Sequence, residues 1–236
     1  MKSTEENLAA LRAGQAHVWL TLAPAVSDEE KLVWEMLSDA ERKRAEKFHQ
    51  AANCAEFVRA HALVRAALSR YHPVAPGAWQ FGHSPQGKPF ISGPAAAPPL
   101  QFNLSHTRGL AACVVTLDAA AGVDVEAIEP QADLLAVARQ FFAPAAVQAL
   151  ENLSGAEQTI RFYEHWTRLE ACAKASGTGL ATTSPAAEMA GEWRCWQQRV
   201  SPDHMLAAAV RGGRGRTTVF TLRTMRWTDL NVTTRK

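Results

Sequence analysis

The chain spells one order of secondary elements twice, and that doubled order limits the folds open to it. Residues 18–22 read as a strand of mixed apolar character. Ser27, Asp28, Glu29 and Glu30 supply an N-cap and an acidic first turn, which predicts a helix over 27–50. A second helix is predicted over 55–71, where Phe57, Val58, Ala62, Val64 and Leu68 stand near helical spacing before Pro73 and Pro76 end it. Residues 79–81, 90–91, 100–104 and 110–117 read as short strands, and 93–99 as a loop rich in proline and alanine. The second pass has a strand over 122–128, helices over 133–151 and 157–176, and strands over 193–199, 205–210 and 219–224. The expected fold class is α/β of the α+β kind, with two similar halves at 1–118 and 119–236, each a small sheet with packed helices. The likeness is one of architecture, with little residue identity. A cleft between the halves is the natural place for a site.

Composition narrows the partners. With 236 residues and 47% apolar content, the chain can build a real core. A net charge of +2 gives no ground for wholesale nucleic-acid binding. Two local basic clusters stand out: Arg42, Lys43, Arg44 and Lys47, then Arg211, Arg214 and Arg216. Either could meet an acidic protein or phosphates, or simply form a solvated helix face and a glycine-rich turn. Cys54, Cys113, Cys172 and Cys195 show no C-x-x-C pair and no zinc spacing, so buried reduced thiols are expected. Glu5 and Glu6 interrupt the N-terminus, which does not read as a signal peptide. No apolar run approaches the roughly 18 residues of a membrane span. A cytoplasmic protein that uses neither membrane nor nucleic acid is the expectation.

Four short segments carry the chemistry. In Gly122-Val123-Asp124-Val125-Glu126 two acids alternate along an apolar strand, so both point to one face. Buried together they would repel, which needs a reason; on an outer face they would be solvated. In the run from Trp166 to Lys174, Glu170 and Lys174 are four apart on a helix and share a face. Such a pair alone is an ordinary ion pair, but Tyr163, Trp166 and Ala173 place apolar groups near the same side. Hard oxygen ligands on rigid elements, with lysine and histidine nearby, suit a divalent cation and phosphates. The adjacent Ser105 and His106 diverge on an extended segment and are poorly placed for a hydrolase triad, and no G-x-S-x-G elbow exists. A phosphate contact or a capped turn with Asn103 and Thr107 fits them. Lys88, in Gly87-Lys88-Pro89, is a turn lysine. No Walker A or dinucleotide glycine motif is present.

These segments, in this order, resemble the 4′-phosphopantetheinyl transferases of the surfactin-synthetase-activating type. The resemblance runs over residues 18–210 and includes, at Trp166–Lys174, a match to Trp-x-x-Lys-Glu-Ala-x-x-Lys, with Leu169 where the family usually has lysine. It implies two α/β halves related by a pseudo-twofold axis, in a monomer with the site between them. It implies an enzyme that moves 4′-phosphopantetheine from coenzyme A to a serine of an apo acyl or peptidyl carrier protein, releasing adenosine 3′,5′-bisphosphate. By the resemblance, Asp124, Glu126 and Glu170 hold Mg²⁺, with Mn²⁺ as an alternative, and Glu170 also serves as general base. Lys174, His106 and Ser105 contact phosphate, with Asp124 beside them, while Lys88, Pro89 and, more weakly, Arg44 flank the nucleotide. His61 stands where an arginine is common, so Arg59 and His61 receive no role. Two other readings stay open: a non-catalytic coenzyme A or carrier-protein binder, favoured by Leu169, and a different metal-dependent phosphotransferase using the same three acids.

Overall fold

The computed structural model describes residues 3–22, 27–177, 179–180, 193–211 and 218–226. The fold is mixed α+β. Its first part comprises α1 (Thr4–Arg12), β1 (Gln15–Leu22), α2 (Ser27–Glu35), α3 (Asp39–Ala45), α4 (Ala51–Leu68), β2 (Gln80–His83), β3 (Pro89–Gly93), β4 (Leu100–Thr107) and β5 (Leu110–Leu117). The second comprises β6 (Ala121–Ala127), α5 (Leu134–Phe141), α6 (Pro144–Glu151), α7 (Gly155–Ser176), β7 (Trp193–Ser201), β8 (His204–Arg211) and β9 (Val219–Thr224).

The helix predicted over 27–50 is two helices. Ser38 is an extended N-cap whose hydroxyl accepts from the Glu41 N–H, and the Glu41 carboxylate accepts from the Ser38 N–H. This capping box restarts the helix at Asp39. The helix predicted over 133–151 also breaks, because Pro144 forces Ala143 into extended backbone and then opens α6 at its first turn. Helix α1 was not foreseen, although Ser3 and Glu6 form the same box in front of it.

The strands form a four-stranded sheet of order β4-β5-β1-β9, a three-stranded sheet of order β6-β8-β7 and the hairpin β2-β3. In the first sheet β4, β5 and β1 are antiparallel neighbours; in the second, β7, β8 and β6 are. Matching β1 with β6, β4 with β7 and β5 with β8 gives the same strand order in both sheets. Helix α4 packs on the first and α7 on the second. Strand β9 lies across the expected 118/119 division, parallel to β1.

Period-two alternation sorts each strand between layers. Val18, Leu20, Ala112 and Val114 of the first sheet meet Val123, Val125, Leu206 and Ala208 of the second in one core. On the far side of the first sheet, Trp19, Phe102 and Val115 pack against Phe57, Leu63 and Val64 of α4. On the far side of the second, Ala207 and Ala209 pack against Ala171, Cys172 and Ala175 of α7. The molecule is thus helix, sheet, sheet, helix. Since Val123 and Val125 face the sheet–sheet core, Asp124 and Glu126 must face α7.

Candidate active site

Gly122 lets the site form. It shares a face with Asp124 and Glu126, and a Cβ there would run into the Ala171 carbonyl and the Ala175 backbone nitrogen. Helix α7 therefore crosses directly over β6. Glu170 and Lys174, each next to one of those alanines, are brought to the two strand acids.

Asp124 is 2% exposed. Its Oδ1 accepts from Lys174 Nζ at 2.6 Å and from Ser105 Oγ at 2.9 Å. Its Oδ2 is buried with no hydrogen-bond partner. Burial, and then the neighbouring Asp124 charge, push the Glu126 carboxyl up to about 7, against an indole N–H from Trp166. Burial and Asp124 likewise raise Glu170, with Lys174 pulling the other way. Three acids thus share one electrostatic site held partly in check by one ammonium.

The donor set fits a hard divalent cation: an orphaned buried carboxylate oxygen is costly, and a cation would satisfy it. As the side chains stand, no group of three His, Cys, Asp or Glu residues among those described is drawn tightly enough to enclose an ion. Lys174 supplies the countercharge on Asp124 instead.

Ser105 lies on β4 and points at β6, where its Oγ also accepts from Lys174 Nζ at 3.1 Å and from the Val125 N–H at 3.3 Å. Asn103 accepts from the Val123 N–H and Thr107 from the Ala127 N–H. Side chains at every second residue of β4 thereby stitch the two sheets together, a role the sequence reading missed. Its one mark in the sequence is the N-x-S-x-T alternation, which a solvated strand face would share. His106 points to the other side of β4, 3.9 Å from Glu56 of α4. Burial lowers its pKa; Glu56 opposes this, while His61, Lys174 and Arg59 add to it. Arg59, unassigned from sequence, thus stands in the electrostatic neighbourhood of His106.

The Lys88 ammonium donates to the carbonyls of Ala121, Lys174 and Ala175 at 3.2, 2.7 and 2.9 Å. All three of its donors are engaged, and burial lowers its pKa. It clasps the C-terminal turn of α7, where carbonyls lack helical partners. Its neighbours Gly87 and Pro89 line a cavity of about 760 Å³ together with Arg44, His61 and Arg65. The Arg44 guanidinium lies over the Phe57 ring at 5.1 Å. Glu41, which also lines this cavity, bonds His61 at 2.9 Å and Arg65 at 2.8 Å. Burial raises its carboxyl, but His61, Ser38 and Arg65 together bring it down to about 2. His61 is therefore held by Glu41 rather than projecting alone.

Leu169 is 2% exposed and packs with Phe162 and Met205. It faces the core, not the acids. The expectation of four buried thiols holds at Cys113 and Cys172 but fails at Cys195, which is exposed, and at Cys54, which is half-buried. No described helix is long and apolar enough to cross a membrane.

Two like sheets carry acids and a lysine beside their junction, while the large cavity lies within the first part of the chain, its described lining running from Ser38 to Leu104; together they fit an α+β enzyme. Residues 120–204 match the 4′-phosphopantetheinyl transferase superfamily, and residues 23–117 match the N-terminal region of 4′-phosphopantetheinyl transferases. Over 172 residues the chain is 33% identical to the 4′-phosphopantetheinyl transferase HetI of Nostoc sp., covering 72% of each protein. It is 32% identical to a putative 4′-phosphopantetheinyl transferase of Synechocystis sp., over 71% of this chain and 67% of that protein. To the 4′-phosphopantetheinyl transferase psf-1 of Bacillus pumilus it is 28% identical, over 61% of this chain and 60% of that one. The chain belongs to the 4′-phosphopantetheinyl transferase superfamily, and it is a transferase of phosphopantetheinyl groups.

Proposed function

We propose that this enzyme moves the 4′-phosphopantetheine arm of coenzyme A onto a serine hydroxyl of an apo acyl or peptidyl carrier protein, leaving adenosine 3′,5′-bisphosphate. The observation that carries this reading is Asp124: buried, bonded on one oxygen to Lys174 and Ser105, and unbonded on the other, with two further acids in its field. Such a group asks for a cation. Asp124, Glu126 and Glu170 would hold Mg²⁺, or Mn²⁺ in its place, and the bound ion would offset charge on the pyrophosphate oxygens.

The residues divide the remaining work. Glu170, whose raised pKa favours taking up a proton, would accept the serine proton directly or through a water. The serine oxygen then bonds the phosphorus that carries pantetheine, and the bridging oxygen leaves with the bisphosphate. Lys174 and His106 would hold the phosphates. Ser105 would act mainly by fixing Asp124 and Lys174 in place. Arg44 and Pro89 line the cavity suited to the nucleotide, and Lys88 would act there through the backbone of its turn, since its ammonium is engaged elsewhere. The exposed Lys43, Arg44 and Lys47 on and beside α3 offer a basic face to an acidic carrier protein. We further propose that the enzyme works as a cytoplasmic monomer, with 1–118 and 119–236 as its two halves.

Leu169 no longer favours a non-catalytic binder, because its side chain is buried away from the acids. The test is to measure transfer rate and coenzyme A affinity for Asp124→Ala and Glu126→Ala. Transfer should fall by a thousandfold or more, roughly the 4 kcal/mol that loss of a key electrostatic group removes, while coenzyme A still binds. Wild-type rates in the double variant would sink the assignment.

A further inference from the structure

The thiols are not alike. Cys113 is fully buried, and burial pushes its thiol up, so it is inert. Cys195 is exposed on β7, and Cys172 is buried on α7. Their Sγ atoms lie 3.5 Å apart although the residues are 23 positions apart in the chain. The fold, not the local sequence, brings them together. They line a cavity of about 330 Å³ together with His165, Arg168 and Phe142, which gives a small solute access to the sulfurs.

We propose that Cys172 and Cys195 are an oxidisable dithiol site, which a peroxide closes to a disulfide that fastens α7 to β7. Cys195 reacts first because it is exposed. The bond from Cys172 and the charge of Arg168 also outweigh burial and bring its thiol down to about 7, so thiolate is present at neutral pH. The Cys195 thiolate attacks one oxygen of the peroxide, the O–O bond breaks, hydroxide leaves, and the sulfur becomes a sulfenic acid. The Cys172 sulfur then attacks that sulfur, and its proton leaves with the displaced hydroxide as water. Two thiols and one hydrogen peroxide give one disulfide and two waters. The sulfurs must close from 3.5 Å to a bond of about 2.05 Å. Cys172 stands two residues after Glu170 and two before Lys174, so the bond acts on the helix that presents both.

The experiment uses the purified full chain. It is treated with hydrogen peroxide, its remaining thiols are alkylated, and its peptides are mapped by mass. The expected product is a joined pair of peptides holding Cys172 and Cys195, lighter by two hydrogens and separated by dithiothreitol. In Cys172→Ser, Cys195 should instead be trapped as a sulfenic acid by dimedone. Wild-type chain in which Cys195 goes to sulfinic acid while Cys172 remains alkylatable would overturn the proposal. So would pairing of either residue with Cys54. The wild-type arm needs no variant to fold, and neither arm depends on transferase activity.

Discussion

Glu126 carries a charge that the fold resists. Burial and Asp124 raise its pKa from 4.5 to about 7. Between those values the folded chain binds more protons than the unfolded one, so stability falls as pH rises through that window. Glu126→Gln removes this penalty. The variant should melt above wild type at pH 8, by a few degrees at roughly 2–4 °C per kcal/mol for a chain of this size. The difference should shrink as pH approaches 4.5, and thermal melts across that range check it. Leu169 gives the opposite case. A lysine there would put an ammonium among Phe162, Met205 and Leu134. Leu169→Lys should therefore lower the melting temperature, on the order of 10 °C for an unpaired buried charge, and should not raise transfer. A faster, equally stable variant would show that the position serves the phosphates.

At the scale of elements, the site depends on how closely α7 rides over β6. Gly122→Ala would drive a methyl group into the Ala171 carbonyl. The helix must lift, and displacing Glu170 and Lys174 by about 1 Å should cost transfer about a hundredfold. A circular-dichroism spectrum like wild type with an unchanged rate would contradict this. The strand 122–128 and the long helix before Ser176 were legible because a glycine, two acids between valines and an i,i+4 pair each leave a periodic mark. The breaks at Ser38 and Pro144 were equally written, as S-x-x-E and as a helix-opening proline, but helical composition on both sides masked them. The ladder from Asn103, Ser105 and Thr107 to β6 was not legible. Polar residues at every second position of a strand look the same whether they face water or another strand's N–H groups. Lys88 was opaque for a similar reason: its three carbonyl partners lie 33, 86 and 87 residues away.

Across the whole molecule, two sheets of matching strand order press face to face, and the acids sit where β6 of one runs beside β4 of the other. The proposed site therefore draws Ser105 from the first half and Asp124, Glu126, Glu170 and Lys174 from the second, with His106 on the opposite face of β4 toward α4. A single chain contains every residue the proposed chemistry uses. The most direct measurement is the intact mass of an apo carrier protein incubated with this enzyme, coenzyme A and Mg²⁺. The account predicts that the carrier gains the mass of one phosphopantetheine on its serine, with adenosine 3′,5′-bisphosphate released in equal amount, and that chelating the metal stops both. A panel of acyl and peptidyl carrier proteins that bind the enzyme yet keep their apo mass would contradict it.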